Sequence, residues 1–414
     1  MRIGISTWTR RLAGGVETYL AALVPALIER GHAVSLFHEV DEPRDREPLT
    51  TADAVPHWCA SGSGPGVALA GLAAWKPDVI FAQGLEDPQL EARVAAIAPA
   101  VLFAHAYRGT CISGTKSLAA LDHTACDRRL GWQCLVRYLP QRCGGLDPLT
   151  MTRLYRQETE RCDLLGQYAA VVTFSDHIRR EYVRHGVASG RTHRLPCHLP
   201  SAGERGAPRS ADKGELPSRI LFIGRMEALK GGQVLLETLP LVHASLQRPL
   251  HVTFAGDGRL RAEWEEQARQ VFAPGTGSRV EFTGWLGAGE RTRLMREADL
   301  LVVPSLWPEP FGLIGLEAAN CGVPAAAFDV GGISEWLHDD VSGHLAPAVA
   351  PRAERLAAAM VKCLQDPLHH AALSRGALEI ASRHSMPAHV SALLRVLGAA
   401  ASPGSLVHTD DSAA

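Results

Sequence analysis

Short, continuous apolar runs alternate along this chain with longer stretches in which apolar residues recur every three or four positions. In the first half the runs lie at about 2–7, 33–39, 78–83, 100–107 and 169–175. Continuous rather than alternating apolar character predicts strands buried on both faces, as in a parallel sheet covered by helices. The first interstrand stretch predicts a helix over about 15–30, stopped by Gly31. From 201 to 218 the chain turns to Ser, Gly, Pro and charge without periodicity, which reads as a linker. A second series of strands then follows at about 219–224, 250–255, 279–284, 299–306, 323–329 and 343–346, and a helical region spans 352–400.

This rhythm predicts an α/β protein with two Rossmann-like parallel-sheet domains facing each other across a cleft. The first would occupy 1–200 and the second 219–380, with 201–218 between them. A helix at 381–400 would return to the first domain, and 401–414 would be a disordered tail. In open parallel sheets ligands bind beyond the carboxyl ends of the strands, so the loops there are the place to look for chemistry.

At 414 residues the chain is long enough for two cores. A 46% apolar fraction and a formal charge of −2 describe an ordinary globular protein and give no bulk attraction for nucleic acid. The start, Met1-Arg-Ile-Gly-Ile-Ser-Thr7, lacks a signal-like apolar core, and no apolar run approaches membrane-spanning length. A cytoplasmic protein is expected, with room for peripheral contact at the inner face of the membrane.

The segment Glu309-Pro-Phe-Gly-Leu-Ile-Gly-Leu-Glu317 follows one apolar run directly. A helix starting near Phe311 or Gly312 would turn its unpaired amides toward the strand end, where they attract phosphate. Glu309 would then lie in the loop and Glu317 roughly 9 Å along the helix axis. That offset suits a nucleoside diphosphate-sugar: sugar hydroxyls at Glu309, distal phosphate on the amides around Gly312 and Leu313, ribose at Glu317. The competing reading is a capped surface helix with Glu309 solvated and Glu317 ion-paired. Arg225 and Lys230 follow strand 219–224 and would balance a diphosphate. Gly256 and Asp257, after strand 250–255, would allow close backbone approach, although a tight turn alone explains them. In the first half, Gly14 and Gly15 open the first helix and could admit a phosphate. His105 ends strand 100–107, where it could donate to a sugar hydroxyl or phosphate.

Four of the nine cysteines, Cys111, Cys126, Cys134 and Cys143, crowd into one loop-rich insertion. They could hold zinc, but no Cys-x-x-Cys pair is present, which favours thiols or a disulfide over a metal.

Taken in order, Ile223-Gly-Arg225, Lys230-Gly231, Phe254-Ala-Gly-Asp-Gly258, Phe282-Thr-Gly284, Glu309-Pro-Phe-Gly312, Glu317-Ala-Ala319, Gly322-Val-Pro324 and Gly331-Gly332 to Glu335 closely resemble the retaining glycosyltransferases of family four, with the GT-B fold and a Glu-x7-Glu motif. The resemblance is clear over about 219–347 and looser at Gly14 to Glu17 and at His105. It implies transfer of a sugar from a nucleoside diphosphate-sugar to a glycan, lipid-linked or small-molecule acceptor, retaining configuration, with neither metal nor cofactor. Arg225 and Lys230 would neutralise the departing diphosphate, Glu309 would bind the donor sugar and Glu317 the ribose. Phe311, Gly312, Leu313, Gly256, Asp257, Gly14 and Gly15 would complete the donor site. His105 resembles the family's histidine near the donor sugar, and the first domain would take the acceptor. Arg194-Leu-Pro-Cys-His198 departs from the Asn-Gly-Val-Asp type of loop that the family often has before the linker. The same resemblance leaves two other outcomes: a protein that binds nucleotide-sugars without transfer, and a sugar-nucleotide epimerase.

Overall fold

The computed structural model describes residues 1–50, 55–121, 123–197, 205–209, 218–350 and 352–402. The linker expected at 201–218 lies outside the described residues except for 205–209 and Ser218, and the tail expected at 401–414 lies outside them except for Ala401 and Ser402. Two compact units divide the chain. One comprises 1–114, 128–200 and 385–414, the other 115–127 and 201–384. The stretch 115–127 thus groups with the second unit although it falls within the first 200 residues.

The first unit is built on a seven-stranded sheet: β1 (Arg2–Thr9), β2 (Ala33–Val40), β3 (His57–Cys59), β4 (Val79–Ala82), β5 (Ala100–Phe103), β6 (Ala170–Thr173) and β7 (Thr192–Arg194). The spatial order is β3-β2-β1-β4-β5-β6-β7, and every pairing is parallel. The central strands are wholly buried, as their unbroken apolar runs require. Helix Gly15–Glu29 packs Tyr19, Leu20, Leu23 and Leu27 against Ile3, Ile5 and Phe81. The last helix, Met386–Ala401, adds Val390, Leu393 and Leu397 to the same core. His389 fixes that helix in place: its Nδ1 contacts the Pro196 carbonyl at 2.9 Å and its Nε2 the Tyr19 hydroxyl at 2.9 Å.

The second unit carries six parallel strands: β8 (Ser218–Ile223), β9 (Leu250–Ala255), β10 (Arg279–Gly284), β11 (Leu300–Val303), β12 (Ala325–Phe328) and β13 (Gly343–Ala346). Their order, β10-β9-β8-β11-β12-β13, is the doubly wound arrangement whose direction of winding reverses between β8 and β11. Ile220, Phe222, Val252, Phe254, Leu300 and Val302 pack against the helices Gly232–Leu246 and Arg352–Leu364 through Leu235, Leu239, Leu356 and Met360. Residues 205–209 run along this unit: the Arg205 guanidinium donates to the Leu378 carbonyl at 2.6 Å, and the Gly206 amide to that of Asn320 at 2.8 Å.

Several strands are shorter than their apolar runs. The run at 299–306 pairs only as Leu300–Val303. Pro304 follows, with no amide to continue a ladder, and Ser305 and Leu306 are buried in the loop beyond. Likewise β5 stops at Phe103, so that His105 belongs to the loop after the strand.

Candidate active site

In the second unit the loops after β8 and β11, on either side of the point of reversal, hold most of the expected residues. Gly224 leaves β8 by donating its amide to the Ala255 carbonyl at 3.0 Å. A side chain at Gly256, where φ is +134°, would meet the Gly224 oxygen at 2.1 Å, so the β8 and β9 loops can touch only because Cβ is missing. Asp257 secures the contact. Its carbonyl accepts from the Met226 amide at 2.8 Å, and its carboxylate meets Arg261 at 3.1 Å.

Ala228–Lys230 forms a single 3-10 turn, and Gly231 adopts φ +69° before helix Gly232–Leu246. The Leu306 amide donates to the Leu229 carbonyl at 2.9 Å, which ties the loop after β8 to the loop after β11. This docking places the Lys230 Nζ 2.6 Å from Glu309 Oε1. Ser305 Oγ donates to the same oxygen at 2.6 Å, and the ammonium lies 5.3 Å from the centre of the Trp307 ring. Glu309 is only 6% exposed. A buried carboxylate is tolerated only with such partners.

Gly331 and Gly332 shape the other side of Glu309. The Gly332 amide donates to the Glu309 carbonyl at 2.7 Å, and a Cβ on Gly331 would meet that carbonyl oxygen at 2.2 Å. Gly312, at φ +90°, then opens helix Leu313–Asn320, and no side chain caps its first turn. The amides at this end therefore face the strand end without a built-in anion of their own. Trp336 lies beneath. Its indole Nε1 donates to the Phe311 carbonyl at 2.7 Å, and its ring fills the space that a side chain at Gly315 would need.

One turn further on, Glu317 pairs with Arg291 at 3.1 Å. Burial pushes the Glu317 carboxyl above its usual range, and the Arg291 charge pulls it partly back. The solvated surface helix considered from sequence does not hold for Glu309, whereas the ion-paired alternative for Glu317 does. Arg225 is exposed, after the end of β8.

The first unit has its own strand-end cavity, of about 230 Å³, lined among others by Thr7, Glu17, Gln83, His105 and Arg108. His105 Nε2 lies 2.8 Å from Gln83 Oε1, with its ring 4.1 Å from that of Phe103. The floor is charged: Arg161 pairs with Glu158 and donates to the Leu85 carbonyl at 3.0 Å, and Arg108 meets Glu86 at 2.6 Å. Gly14 caps helix Gly15–Glu29 in extended conformation. Burial raises the Glu17 carboxyl, with the Glu17 and Gly14 amides opposing the rise. The Glu17 carboxyl thus lies against the helix start where a phosphate was expected.

Sequence reasoning missed Ser305, Trp307, Arg291, Trp336 and Gln83. Ser305 and Gln83 belong to apolar runs, Arg291 to helix Ala288–Glu297, Trp307 to the loop after a run and Trp336 to the end of the 3-10 turn Ile333–Glu335. Of these, only the spacing of Ser305 from Glu309, i to i+4 within one loop, is a local pattern. The nine cysteines form no disulfide. Among the described residues, one group of His, Cys, Asp or Glu side chains converges closely enough to hold a metal, and it consists of Asp340, His344 and His369 rather than the cysteines of the insertion.

Two family profiles match the chain. Residues 13–199 match the one described as Glycosyltransferase Family 4, and residues 217–366 the one described as Glycosyl transferases group 1. Among curated relatives, a D-inositol 3-phosphate glycosyltransferase from Salinispora tropica is 32% identical over 254 residues, covering 59% of this chain and 50% of the relative. A phosphatidyl-myo-inositol mannosyltransferase from Mycobacterium leprae is 33% identical over 203 residues, covering 49% of this chain and 52% of the relative. The chain thus spans about half the length of these relatives. Among solved structures, Anabaena HepE in complex with UDP-glucose superposes with a TM-score of 0.65 at 18% identity, covering 96% of this chain and 100% of that one.

Proposed function

Since the chain belongs to the family-four glycosyltransferases of GT-B fold, we propose that it moves a sugar from a nucleoside diphosphate-sugar to a glycan, lipid-linked or small-molecule acceptor, with retention of configuration and without a catalytic metal. The observation that carries this reading is the Lys230–Glu309 pair beside the uncapped start of helix Leu313–Asn320.

The chemistry follows from those groups. The diphosphate lies on the amides around Gly312 and Leu313, and its charge is matched by Lys230 and by Arg225, which is free to swing over it. Glu309 then accepts hydrogen bonds from the sugar hydroxyls, with Ser305 holding one oxygen in place. Glu317, aligned by Arg291, receives the ribose hydroxyls. The acceptor oxygen bonds to the anomeric carbon on the face from which the diphosphate departs, and its proton passes to a phosphate oxygen. No protein nucleophile is needed. The protein contributes position and charge, for which removal of one well-placed donor typically costs about 10²- to 10³-fold in rate. The cavity beside His105 is the place for the acceptor, and the peripheral membrane contact of a lipid-linked acceptor belongs to the same reading. No helix among the described residues is long and apolar enough to cross a membrane.

The test is a panel of nucleoside diphosphate-sugars offered with and without a mixed acceptor pool. Acceptor-dependent release of the nucleoside diphosphate, with the anomeric centre of the product retained, supports transfer. A new sugar-nucleotide formed from donor alone would point to epimerisation, and donor binding without turnover to a silent binding protein.

A further inference from the structure

A second constellation lies at the opposite end of the same sheet. β13 begins at Gly343, which is in register with Ala325, the first residue of β12. His344, the next residue, is therefore near the amino ends of the strands, whereas the Lys230 and Glu309 loops follow carboxyl ends. Its Nε2 faces Nε2 of His369, on helix Pro367–Ser382, at 3.0 Å. Asp340, in the turn before β13, brings Oδ1 to 3.9 Å from the first nitrogen and 3.6 Å from the second.

These separations suit a shared ion. Nitrogen and oxygen ligands about 2.0–2.1 Å from a tetrahedral metal are about 3.4 Å apart, and the three observed edges bracket that value. The protonation pattern is also set. Asp339 Oδ1 lies 3.2 Å from His344 Nδ1 and accepts the Leu345 amide at 2.9 Å. With its Nδ1 hydrogen given to Asp339, His344 presents the Nε2 lone pair outward, the orientation that a carboxylate partner imposes on metal-binding histidines. Asp340 is held at φ +63°, so the turn that aims it is conformationally defined. Its side chain is 76% exposed and that of His369 29%, which leaves an entry path and positions for water. His344 itself is buried.

We propose that Asp340, His344 and His369 form a binding site for a divalent transition-metal ion, of the zinc class, with Asp339 orienting His344. The ion fastens the edge strand β13 and its turn to helix Pro367–Ser382. Two imidazoles and one carboxylate select a borderline ion over calcium or magnesium, which prefer all-oxygen shells. The site is independent of the sugar-transfer reading, because its residues stand at the other end of the strands.

Cobalt(II) makes the test specific. Full-length protein stripped with chelator is titrated with the metal alone, and the visible ligand-field bands are followed. One equivalent bound, displaced by zinc, without the intense near-ultraviolet absorption of a thiolate ligand, is the expected result. His369→Ala should abolish it while leaving the metal-free melting temperature unchanged. Asp340→Asn, which keeps a side chain tolerant of positive φ, should weaken it at least tenfold. Asp339→Asn retains an oxygen for Leu345 and should cost about 10- to 100-fold in affinity. Absence of cobalt bands in the wild type, a thiolate signature, or binding that survives both His369→Ala and Asp340→Asn would overturn the proposal.

Discussion

Lys230 and Glu309 meet at 2.6 Å although 79 residues separate them in sequence, and the contact exists because two loops on either side of the winding reversal are docked by the Leu306–Leu229 bond. Substitution should separate charge from packing. Glu309→Gln keeps an acceptor for Ser305 and for Lys230, so it should fold normally and lose about 10²- to 10³-fold in transfer rate. Lys230→Ala should lose a similar factor in rate and also some stability, since it strands a buried carboxylate. Steady-state kinetics and melting of the two variants check this.

Gly231 tests the docking itself. At φ +69°, with a Cβ that would lie 1.8 Å from the Pro304 carbonyl oxygen, alanine cannot be accommodated unless the loop retreats. Gly231→Ala should lower stability by about 1–3 kcal/mol and should reduce transfer even though it removes no functional group. Gly289→Ala, with open space around the position, is the control and should be near neutral.

Arg291 and Glu317 give a pH signature. The folded Glu317 carboxyl titrates above its unfolded value. At pH values between the two the folded chain holds a proton that the unfolded chain has released, so stability falls as pH rises through that window. Arg291→Ala removes the opposing cation, raises the folded value further and widens the window. The variant should lose on the order of 1–3 kcal/mol at neutral pH and noticeably less at acid pH, measured by denaturant melts across the range.

His389 gives the opposite sign. Burial lowers it to about 4, against the bond to the Pro196 carbonyl, which favours the charged form. The unfolded imidazole takes up its proton near pH 6.5, so this contribution is complete above that value and shrinks as pH falls toward the folded one. It amounts to about 3 kcal/mol in all. His389→Gln should flatten that part of the acid profile.

The parallel sheets were legible in the sequence because strands buried on both faces must be continuously apolar, as β4, β5, β6 and β11 are; β9 and β10, at 250–255 and 279–284, have the expected bounds but are only partly buried. The overlong reading at 299–306 shows the limit: hydrophobicity reports burial, and Ser305 and Leu306 are buried without being paired. β3 and β7, three residues each, are too short for periodicity to register. At the candidate site, glycines and charges after strand ends were visible, since turns at positive φ and anion-binding helix starts have compositional marks. Trp336 and Arg291 were not, because their roles depend on long-range packing that no local pattern encodes. The Asp340–His344–His369 group was hidden for the same reason. Cys111, Cys126, Cys134 and Cys143, for which thiols or a disulfide were favoured over a metal, form no disulfide.

The most direct test of the central claim is a thermal-shift titration with nucleoside diphosphates and their sugars, comparing wild type with Lys230→Ala. A diphosphate seated at the start of helix Leu313–Asn320 and matched by Lys230 should stabilise the wild type by about 2.7 kcal/mol at 100 times its dissociation constant, and the shift should largely vanish in the variant. Equal stabilisation of the two proteins, or none in the wild type with any nucleoside diphosphate, would contradict the account.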